Sequence, residues 1–312
     1  MKNFTAESKN SNNVEQVAGM KYVIISPVRN EAQYIEQTIQ AIIDQTVKPS
    51  ECIFVDDGST DETVEIISRY AELHPWLRLV HRDKREDKGD RQRGKGVVDT
   101  FYFGFNRLAN QDYEFVIKLD GDVAFASNYF EFLLHKFAAD PKLGIAGGGL
   151  YERVDGKNWS LRSAKDHVGG PVKMYRRTCF EAIGGLVPAL GWDGLDEWQA
   201  LALGWKVESY EELKIWHYRI MGRATGALKS KIEMGYGAHY MGYHPLYLIV
   251  RGIRHIFTWP YLIGGMGMII AFFVARWQGR EQLPPPSVMR FIHLTQLSQL
   301  SSLLIGKRIY KG

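Results

Sequence analysis

Residues 51–73, ECIFVDDGSTDETVEIISRYAEL, contain one complete strand–loop–helix unit, and this unit decides the fold. The run ECIFVDD (51–57) stays apolar up to its two aspartates, which is typical of a strand buried on both faces. A helix is predicted for 61–73, where STDE has the form of a capping box. The polar residues DDGS are therefore predicted to lie at the carboxyl end of a buried strand.

The same alternation continues on both sides of this unit. Further strands are predicted at 22–26, 78–82 and 114–120, and further helices at 31–45 and 97–110. Strands and helices in strict alternation predict an α/β fold, with a mostly parallel sheet covered by helices on both faces. After residue 149 the alternation breaks down. A strand and a short helix are predicted within 169–186, then a helix at 197–203 and a strand after Gly204.

Charge is distributed unevenly along the 312 residues. Residues 214–312 hold 13 Lys or Arg and two acids, a net charge of +11, whereas the preceding residues hold 26 bases and 33 acids, a net charge of −7. A basic C-terminal part is expected to face something anionic, most simply a phospholipid surface. No feature predicts a nucleic-acid partner.

Cysteine usage and the N-terminal residues bear on the compartment. Cys52 and Cys179 are the only cysteines, which excludes a disulfide scaffold and argues against a metal site built on cysteine. Residues 1–20 are polar and lack the apolar segment of a signal peptide, so we expect a disordered tail. The folded body is accordingly expected to face a reducing cytosol.

Acidic residues follow the strand at 114–120 directly. Asp120 and Asp122 stand two positions apart, so on an extended chain they point to the same side, and Gly121 between them has no side chain to block a ligand. A hard divalent cation such as Mg²⁺ or Mn²⁺ would offset both charges, with substrate phosphates as further ligands. Taken alone, the pattern is equally typical of a surface turn, but DDGS after an earlier strand favours a site at the same sheet edge.

A charged loop precedes the helix at 97–110. The segment RDKREDKGDRQRGKG (82–96) holds seven bases, four acids and three glycines. It fits a solvated loop, and it equally fits a loop that binds the oxygens of a diphosphate beside a metal.

Four segments together resemble family 2 glycosyltransferases with the GT-A fold. They are SPVRNEAQYI (26–35), IFVDDGSTDET (53–63), IKLDGDV (117–123) and GWDGLDEWQALALGWKV (191–207), and the resemblance covers about residues 21–225. It implies an inverting enzyme that uses a nucleotide-sugar donor and a divalent metal. The predicted domains are thus a disordered tail (1–20), a GT-A domain (21–225) and a helical, membrane-associated region (226–312).

The resemblance also implies roles for individual residues. The side chains that would meet the nucleotide are Pro27, Arg29, Glu31, Asp56 and Asp57. Asp120 and Asp122 would hold the metal. Arg93 and Lys95 stand where the family often contacts the diphosphate or the sugar, although RGKG departs from its usual R-N-x-G.

The family takes its catalytic base from an acidic motif ahead of a G-W/Y-K strand. Here Asp193, Asp196 and Glu197 occupy that region without the usual Glu-Asp pair, and counting back from Gly204 favours Asp193 as the base. Asp196 is the second candidate, and it could instead be the N-cap of the helix.

Three later residues have open roles. His217 is either a further metal ligand or diphosphate contact, as in some GT-A enzymes, or a structural histidine. Arg219 and Arg223 are either phosphate contacts or solvated charges.

The C-terminal region carries two membrane signals. Residues 256–275, IFTWPYLIGGMGMIIAFFVA, hold no charge over 20 positions, which is the length needed to cross a bilayer. Pro260 and the central glycines allow a kinked, monotopic or re-entrant element instead of a spanning helix. A buried core helix is the third interpretation of this segment. Residues from about 288 to 306 form a predicted amphipathic helix with a basic end, suited to a membrane surface or to a partner helix.

These features predict a glycosyltransferase at the cell membrane with a cytoplasmic catalytic domain. It would move a sugar from a nucleotide-diphosphate donor to a hydroxyl acceptor in polysaccharide or glycoconjugate synthesis. The basic tail, which is expected to bind a membrane, favours a lipid-linked acceptor. A nucleotidyltransferase shares the sheet and the metal but would need an N-terminal Gly-rich loop. A non-catalytic, membrane-tethered nucleotide-sugar binding module is the alternative outside the enzymes.

Overall fold

The computed structural model describes residues 17, 19–82, 94–154, 158–161, 167–219 and 226–304. The chain divides into two compact units. The first comprises Met1–Gln92, Asp99–Ala182 and Trp205–Arg219, and the second comprises Arg93–Val98, Ile183–Gly204 and Ile220–Gly312. Residues 183–204 therefore group with the C-terminal helices, while the predicted domain boundary at 225/226 stays a prediction. The predicted tail at 1–20 lies almost wholly outside the described residues.

Among the residues that the structure describes, nine strands form one mixed sheet in the first unit. They are β1 (Tyr22–Val28), β2 (Glu51–Asp56), β3 (Leu77–His81), β4 (Phe115–Leu119), β5 (Val123–Phe125), β6 (Leu143–Val154), β7 (Asn158–Leu161), β8 (Val172–Arg176) and β9 (Lys206–His217). The strand order is β3-β2-β1-β4-β8-β6-β9-β5, and β7 pairs with β6.

Ten helices are described. They are α1 (Ile35–Ile43), α2 (Thr63–Leu73), α3 (Lys95–Phe105), α4 (Tyr129–Ala139), α5 (Arg177–Ala182), α6 (Trp192–Ala202), α7 (Ala227–Tyr240), α8 (Pro245–Ile256), α9 (Ile263–Trp277) and α10 (Pro286–Leu304).

Parallel pairing is confined to part of the sheet. β3, β2, β1 and β4 run parallel, as the strand–helix alternation predicts. β8 is antiparallel to both β4 and β6, and β6 then runs parallel to β9. The α/β prediction is confirmed, and each antiparallel pair includes a strand that follows residue 149, where the alternation breaks down.

Helices cover both faces of the sheet because successive side chains of a buried strand point in opposite directions. On one face Ile24 of β1 packs into the main core with Ile39 of α1 and Phe130 of α4. On the other face Phe101 of α3 and Tyr175 of β8 both pack against Phe180 of α5. The polar ends of the parallel strands are thereby left at one edge, where the candidate site lies.

Local details correct two expectations. β1 continues through Pro27 to Val28, beyond its predicted end. The pairing of β1 with β4 stops at Ile25, so after that residue only β2 is bonded to β1, and the N–H that Pro27 lacks is not needed for hydrogen bonds to β4. α2 has Glu62 at its N-cap with no side-chain cap bond, so the capping box is not formed. Instead the Asp61 carboxylate accepts hydrogen bonds from the backbone and hydroxyl of Thr63.

The second unit is helical. Its core joins Trp198 of α6, Ala238 of α7, Leu248 of α8, Phe272 of α9 and Ile292 of α10. The uncharged segment 256–275 is divided between the end of α8, a turn at 257–262 and most of α9. Within the described residues, no helix combines the length and the apolar character needed to cross a bilayer.

Candidate active site

The loops after β1 and β2 are joined to each other by hydrogen bonds. The backbone N–H of Asn30 donates to the Ser59 hydroxyl at 3.0 Å, and the backbone N–H of Thr60 donates to the Asn30 side chain at 2.8 Å. Asn30 has a φ of 53°, in the left-handed region that asparagine tolerates better than most residues. The two predicted nucleotide-facing segments are therefore brought together.

Both aspartates of the DDGS loop have partners within the first unit. The Asp56 carboxylate is buried, accepts a hydrogen bond from the Ser59 backbone at 2.9 Å and lies 3.4 Å from the His81 imidazole. Asp57 is paired with Arg82 at 3.3 Å. Asp56 thus shapes the loop, while Asp57 and Arg82 form a charged pair beside it.

The remaining nucleotide-facing candidates differ in exposure. Pro27 and Arg29 are half-buried, and the Arg29 Nε atom is buried with no hydrogen-bond partner among the described residues. Glu31 is 2% exposed, and its carboxylate accepts a hydrogen bond from the Arg219 guanidinium at 2.5 Å. Glu31 therefore points toward the end of β9, and its contact with Arg219 links the loop after β1 to the residues after β9.

Asp120, Asp122 and His217 form the central cluster of the first unit. One ligand atom from each of the three lies within 4.8 Å of the others. Asp122 and His217 are buried, at 1% and 5% exposure, and Asp120 is half-buried. The sheet produces this arrangement because β5 pairs with β9, placing His217 opposite Val123 and thus beside Asp122.

The cations of the protein itself already offset these carboxylates. Lys118 forms an ion pair with Asp120. The Asp122 carboxylate lies 3.5 Å from Nε2 of His217 and 3.4 Å from Nε of Arg219. The protein itself therefore places a positive charge beside each of the two aspartates.

Gly121 has a packing role in addition to the predicted one. A Cβ atom at this position would lie 3.0 Å from Val28, 3.2 Å from Glu31 and 3.2 Å from Ile35, closer than ordinary van der Waals contact. The missing side chain therefore lets these three side chains pack closely beside the aspartates.

His217 is held between two carboxylates. Its Nδ1 atom is 2.9 Å from the Glu152 carboxylate, on the opposite side of the ring from Asp122. Burial alone would lower the pKa of His217, but the hydrogen bonds to Asp122 and Glu152 and the nearby charges of Asp122 and Asp120 raise this pKa to about 9. The imidazole is accordingly protonated at neutral pH in the metal-free protein.

The donor set of this cluster fits a divalent cation. Two carboxylates and one imidazole converge from three strand ends, and carboxylate oxygens are suited to Mg²⁺ or Mn²⁺. An imidazole nitrogen is a more usual ligand for a transition metal than for Mg²⁺.

The candidate bases belong to the second unit. α6 begins at Trp192 with Gly191 as its N-cap, so Asp196 is inside the helix and its predicted alternative as the N-cap is wrong. Asp193 and Asp196 are one turn apart and share a face. Asp193 is half-buried, whereas Asp196 and Glu197 are each 1% exposed.

Other predicted residues are placed less informatively. Lys95 is exposed at the first residue of α3. Arg93 and Arg223, with most of the charged loop at 82–96, lie outside the described residues.

Two residues of the site have no role in the sequence-based prediction: Lys118 and Glu152. A lysine two residues before Asp120 on the same strand side is a signal that could have been used. Glu152 carries no such signal, because it is 65 residues from His217 and becomes its neighbour only through the pairing of β6 with β9.

Comparison with known proteins identifies the family. The sequence model of glycosyl transferase family 2 matches residues 23–190, more than half of the chain. The protein belongs to glycosyl transferase family 2.

Among curated relatives, the chain is similar to the poly-beta-1,6-N-acetyl-D-glucosamine synthase of Staphylococcus aureus strain COL. The two are 20% identical over 261 residues, which cover 76% of this chain and 58% of the synthase. The synthase of Staphylococcus epidermidis is also 20% identical, over 72% of this chain and 56% of its own length. The chain thus spans less than two thirds of the length of these relatives.

Solved structures show the same fold. The mannosyltransferase PcManGT from Pyrobaculum calidifontis, in complex with GDP-Man and Mn²⁺, matches with a TM-score of 0.53 and 18% identity over 92% of this chain and 82% of its own. Residues 1–349 of S. aureus TarS, in complex with UDP-GlcNAc, match with a TM-score of 0.52 and 14% identity over 83% and 73%. At these identities the likeness concerns the GT-A fold.

Proposed function

We propose that the protein is an inverting glycosyltransferase that moves a sugar from a nucleotide-diphosphate donor to a hydroxyl acceptor. The observation that carries this proposal is the cluster of Asp120, Asp122 and His217 at the carboxyl ends of the strands, next to the joined loops of β1 and β2. Ligands of open α/β sheets bind at this edge. The donor is supported by the GDP-Man and UDP-GlcNAc bound in the structural neighbours.

The first unit would hold the donor. The nucleotide would lie along the joined loops, facing the side chains assigned above: Pro27, Arg29, Glu31, Asp56 and Asp57. Asp120, Asp122 and His217 would hold a divalent metal, and Mn²⁺ in the PcManGT complex supports that choice. The metal would supply positive charge to the diphosphate leaving group.

A carboxylate would activate the acceptor. In inverting transfer the acceptor oxygen attacks the anomeric carbon while its proton passes to a base, and the bond from that carbon to the diphosphate breaks. We propose Asp193 as the base because it stands at the family's position in the helix and is partly exposed. Asp196 is the second candidate, and its burial makes it less suited to meet a hydroxyl acceptor.

Two conservative variants test these assignments separately. Asp122→Asn should weaken Mn²⁺ binding, measured by electron paramagnetic resonance, and with it donor binding. Asp193→Asn should keep Mn²⁺ and donor binding while transfer falls by a factor of about 10²–10⁴. Hydrolysis of UDP and GDP sugars, with and without acceptor, supplies the assay, and the anomeric configuration of the product is read by NMR.

Each outcome has a clear consequence. Full transfer by Asp193→Asn together with inactive Asp196→Asn would assign the base to Asp196 instead. Unchanged Mn²⁺ binding by Asp122→Asn would contradict the metal site. A wild-type protein that binds nucleotide sugars but yields neither product nor hydrolysis with any acceptor would be a binding module.

We propose further that the second unit contacts a membrane and that the acceptor is lipid-linked. Bulky apolar residues are exposed in the turn before α9 and along that helix, including Phe257 at 77%, Trp259 at 72% and Trp277 at 87%. Exposed Arg254 and Arg276 flank this stretch. Aromatic rings at a bilayer interface with arginines facing anionic head groups account for both features.

A groove on the same unit suits hydrocarbon. It has a volume of about 430 Å³, lies between α7 and α9, and is lined chiefly by Leu228, Ile232, Tyr236, Ile263, Met266 and Ile270. An acyl or polyprenyl chain fits such a lining. The exopolysaccharide synthases among the relatives support a role in polysaccharide synthesis, with an acceptor presented at a membrane.

Vesicle sedimentation tests the membrane contact. Wild type should bind vesicles of phosphatidylcholine with phosphatidylglycerol more strongly than phosphatidylcholine alone. The double variant Phe257→Ser, Trp259→Ser should lose at least about tenfold in partition, since apolar burial drives it. Leu73→Ser is the control, because Leu73 is 72% exposed in the first unit. Equal binding by the double variant and the control would refute this surface.

A further inference from the structure

The pairing of three strands fixes the surroundings of His217. β9 runs between β5 and β6, with His217 opposite Val123 on one side and opposite Glu152 on the other. Glu152 is 2% exposed, and its Oε1 atom lies 2.9 Å from Nδ1 of His217. Nε2 of the same ring lies 3.5 Å from Asp122. One ring nitrogen therefore faces Glu152, and the other faces the proposed metal ligands.

The orientation of an imidazole decides which nitrogen can bind a metal. When Nδ1–H donates to a carboxylate, the lone pair of the neutral ring is on Nε2, and the hydrogen bond also fixes the angle of the ring. Without that acceptor, the ring can turn or carry its proton on the wrong nitrogen. A buried carboxylate that accepts a hydrogen bond from one ring nitrogen thus affects a metal bound by the other nitrogen without touching that metal.

We propose that Glu152 is a positioning residue for the metal site. It accepts the hydrogen bond from Nδ1–H of His217 and thereby directs Nε2 toward the site formed with Asp120 and Asp122. This inference rests on the proposed function, since it takes His217 as a metal ligand. Glu152 touches neither metal nor donor in this role, and its effect passes entirely through His217.

Mn²⁺ binding to the purified full-length chain, measured by the signal of free Mn²⁺ in electron paramagnetic resonance, tests the role without any assay of transfer. Glu152→Leu removes the acceptor and should weaken Mn²⁺ binding by about 10–100-fold. Glu152→Gln keeps an acceptor oxygen at nearly the same place and should weaken it by less than about tenfold. The glutamine variant also keeps the test open if the leucine variant fails to fold.

Glu51 offers a matched control. It is 4% exposed, forms an ion pair with Arg78 and accepts a hydrogen bond from the backbone of Ala109, at the opposite end of the parallel strands from the site. Glu51→Leu should lower stability while leaving Mn²⁺ affinity unchanged. A general loss of packing is thereby separated from a specific effect on the metal.

A double-variant cycle decides whether Glu152 acts through His217. In a His217→Ala background the further change Glu152→Leu should alter Mn²⁺ affinity by less than about twofold, because the ring to be positioned is gone. An equal loss in both backgrounds would overturn the proposal, and so would a folded Glu152→Leu protein with wild-type affinity. If Asp122→Asn also binds Mn²⁺ normally, the metal site itself fails; if it does not, only the role of Glu152 fails.

Discussion

Gly148 is the position where a single methyl group should disturb both the sheet and the candidate site. It lies at an irregularity in the β6–β9 pairing, where Gly148 is opposite Tyr210 and the next residue, Gly149, is opposite Lys214. A Cβ atom on Gly148 would lie 2.0 Å from the carbonyl oxygen of Leu213 in β9. A backbone atom cannot rotate away as a side chain can, so β9 itself must move.

The size of the effect follows from that distance. Ordinary contact begins at 3.4 Å, so the Leu213 carbonyl must retreat by about 1.4 Å. Overpacking of this kind costs about 1–3 kcal/mol, and a backbone clash belongs at the upper end. We therefore expect Gly148→Ala to lower the free energy of unfolding by about 3 kcal/mol. His217 follows Leu213 by four residues, so Mn²⁺ affinity should also fall by at least about tenfold.

Urea unfolding and Mn²⁺ titration measure the two effects. Gly19→Ala is the control, because no atom lies within 4 Å of a Cβ at that exposed glycine. The control should match wild type within about 0.5 kcal/mol. A Gly148→Ala protein with wild-type stability would refute the clash. Lost stability with unchanged Mn²⁺ affinity would show instead that β9 yields without moving His217.

Four further predictions use other parts of the first unit. Tyr129→Phe should lower the free energy of unfolding by about 1–3 kcal/mol, because the buried Tyr129 hydroxyl accepts a hydrogen bond from the Gly148 backbone at 2.8 Å. Urea unfolding measures the loss, and a change below about 0.5 kcal/mol contradicts the prediction. Cys52 and Cys179 are buried free thiols, and burial raises the pKa of Cys52, so neither should react with a thiol reagent until urea unfolds the chain. In the metal-free protein, the stability contributed by protonated His217 should be complete below about pH 6.5 and lost as pH rises through its pKa of about 9. If the difference in unfolding free energy between wild type and His217→Gln does not change with pH, this prediction is contradicted. Mn²⁺ should bind more tightly in the presence of UDP or GDP than alone, and equal calorimetric affinities would refute that expectation.

The sequence predicts well what depends on neighbours along the chain. The parallel strands β1 to β4, and the placement of polar loops at their carboxyl ends, follow from local periodicity. Residues Asp120 and Asp122 were found because strand and acids are contiguous. His217 was a candidate only through the resemblance to GT-A enzymes, since a lone histidine has no local signal.

What the sequence does not predict depends on pairing between distant strands. β6 is a strand of 12 residues that passes through three consecutive glycines, and its partner β9 accommodates an irregularity between Gly148 and Gly149. The hydrophobic periodicity of β6 or of β9 does not predict which residues of the two strands pair with each other. The contact of Glu152 with His217 exists only in that register. The early start of α6 was likewise missed, because Gly191 caps the helix with a φ of 85° where a polar side chain was expected.

The charges around Asp122 explain why metal and donor should bind together. In the metal-free protein, His217 and Arg219 both lie within 3.5 Å of the Asp122 carboxylate and offset its charge. A divalent cation would add two positive charges to this buried cluster. His217 can respond by releasing a proton, but a guanidinium stays charged, so Arg219, which already donates a hydrogen bond to Glu31, needs a further anion beside it. A nucleoside diphosphate supplies that anion, and its negative charge removes the repulsion that would otherwise oppose the metal.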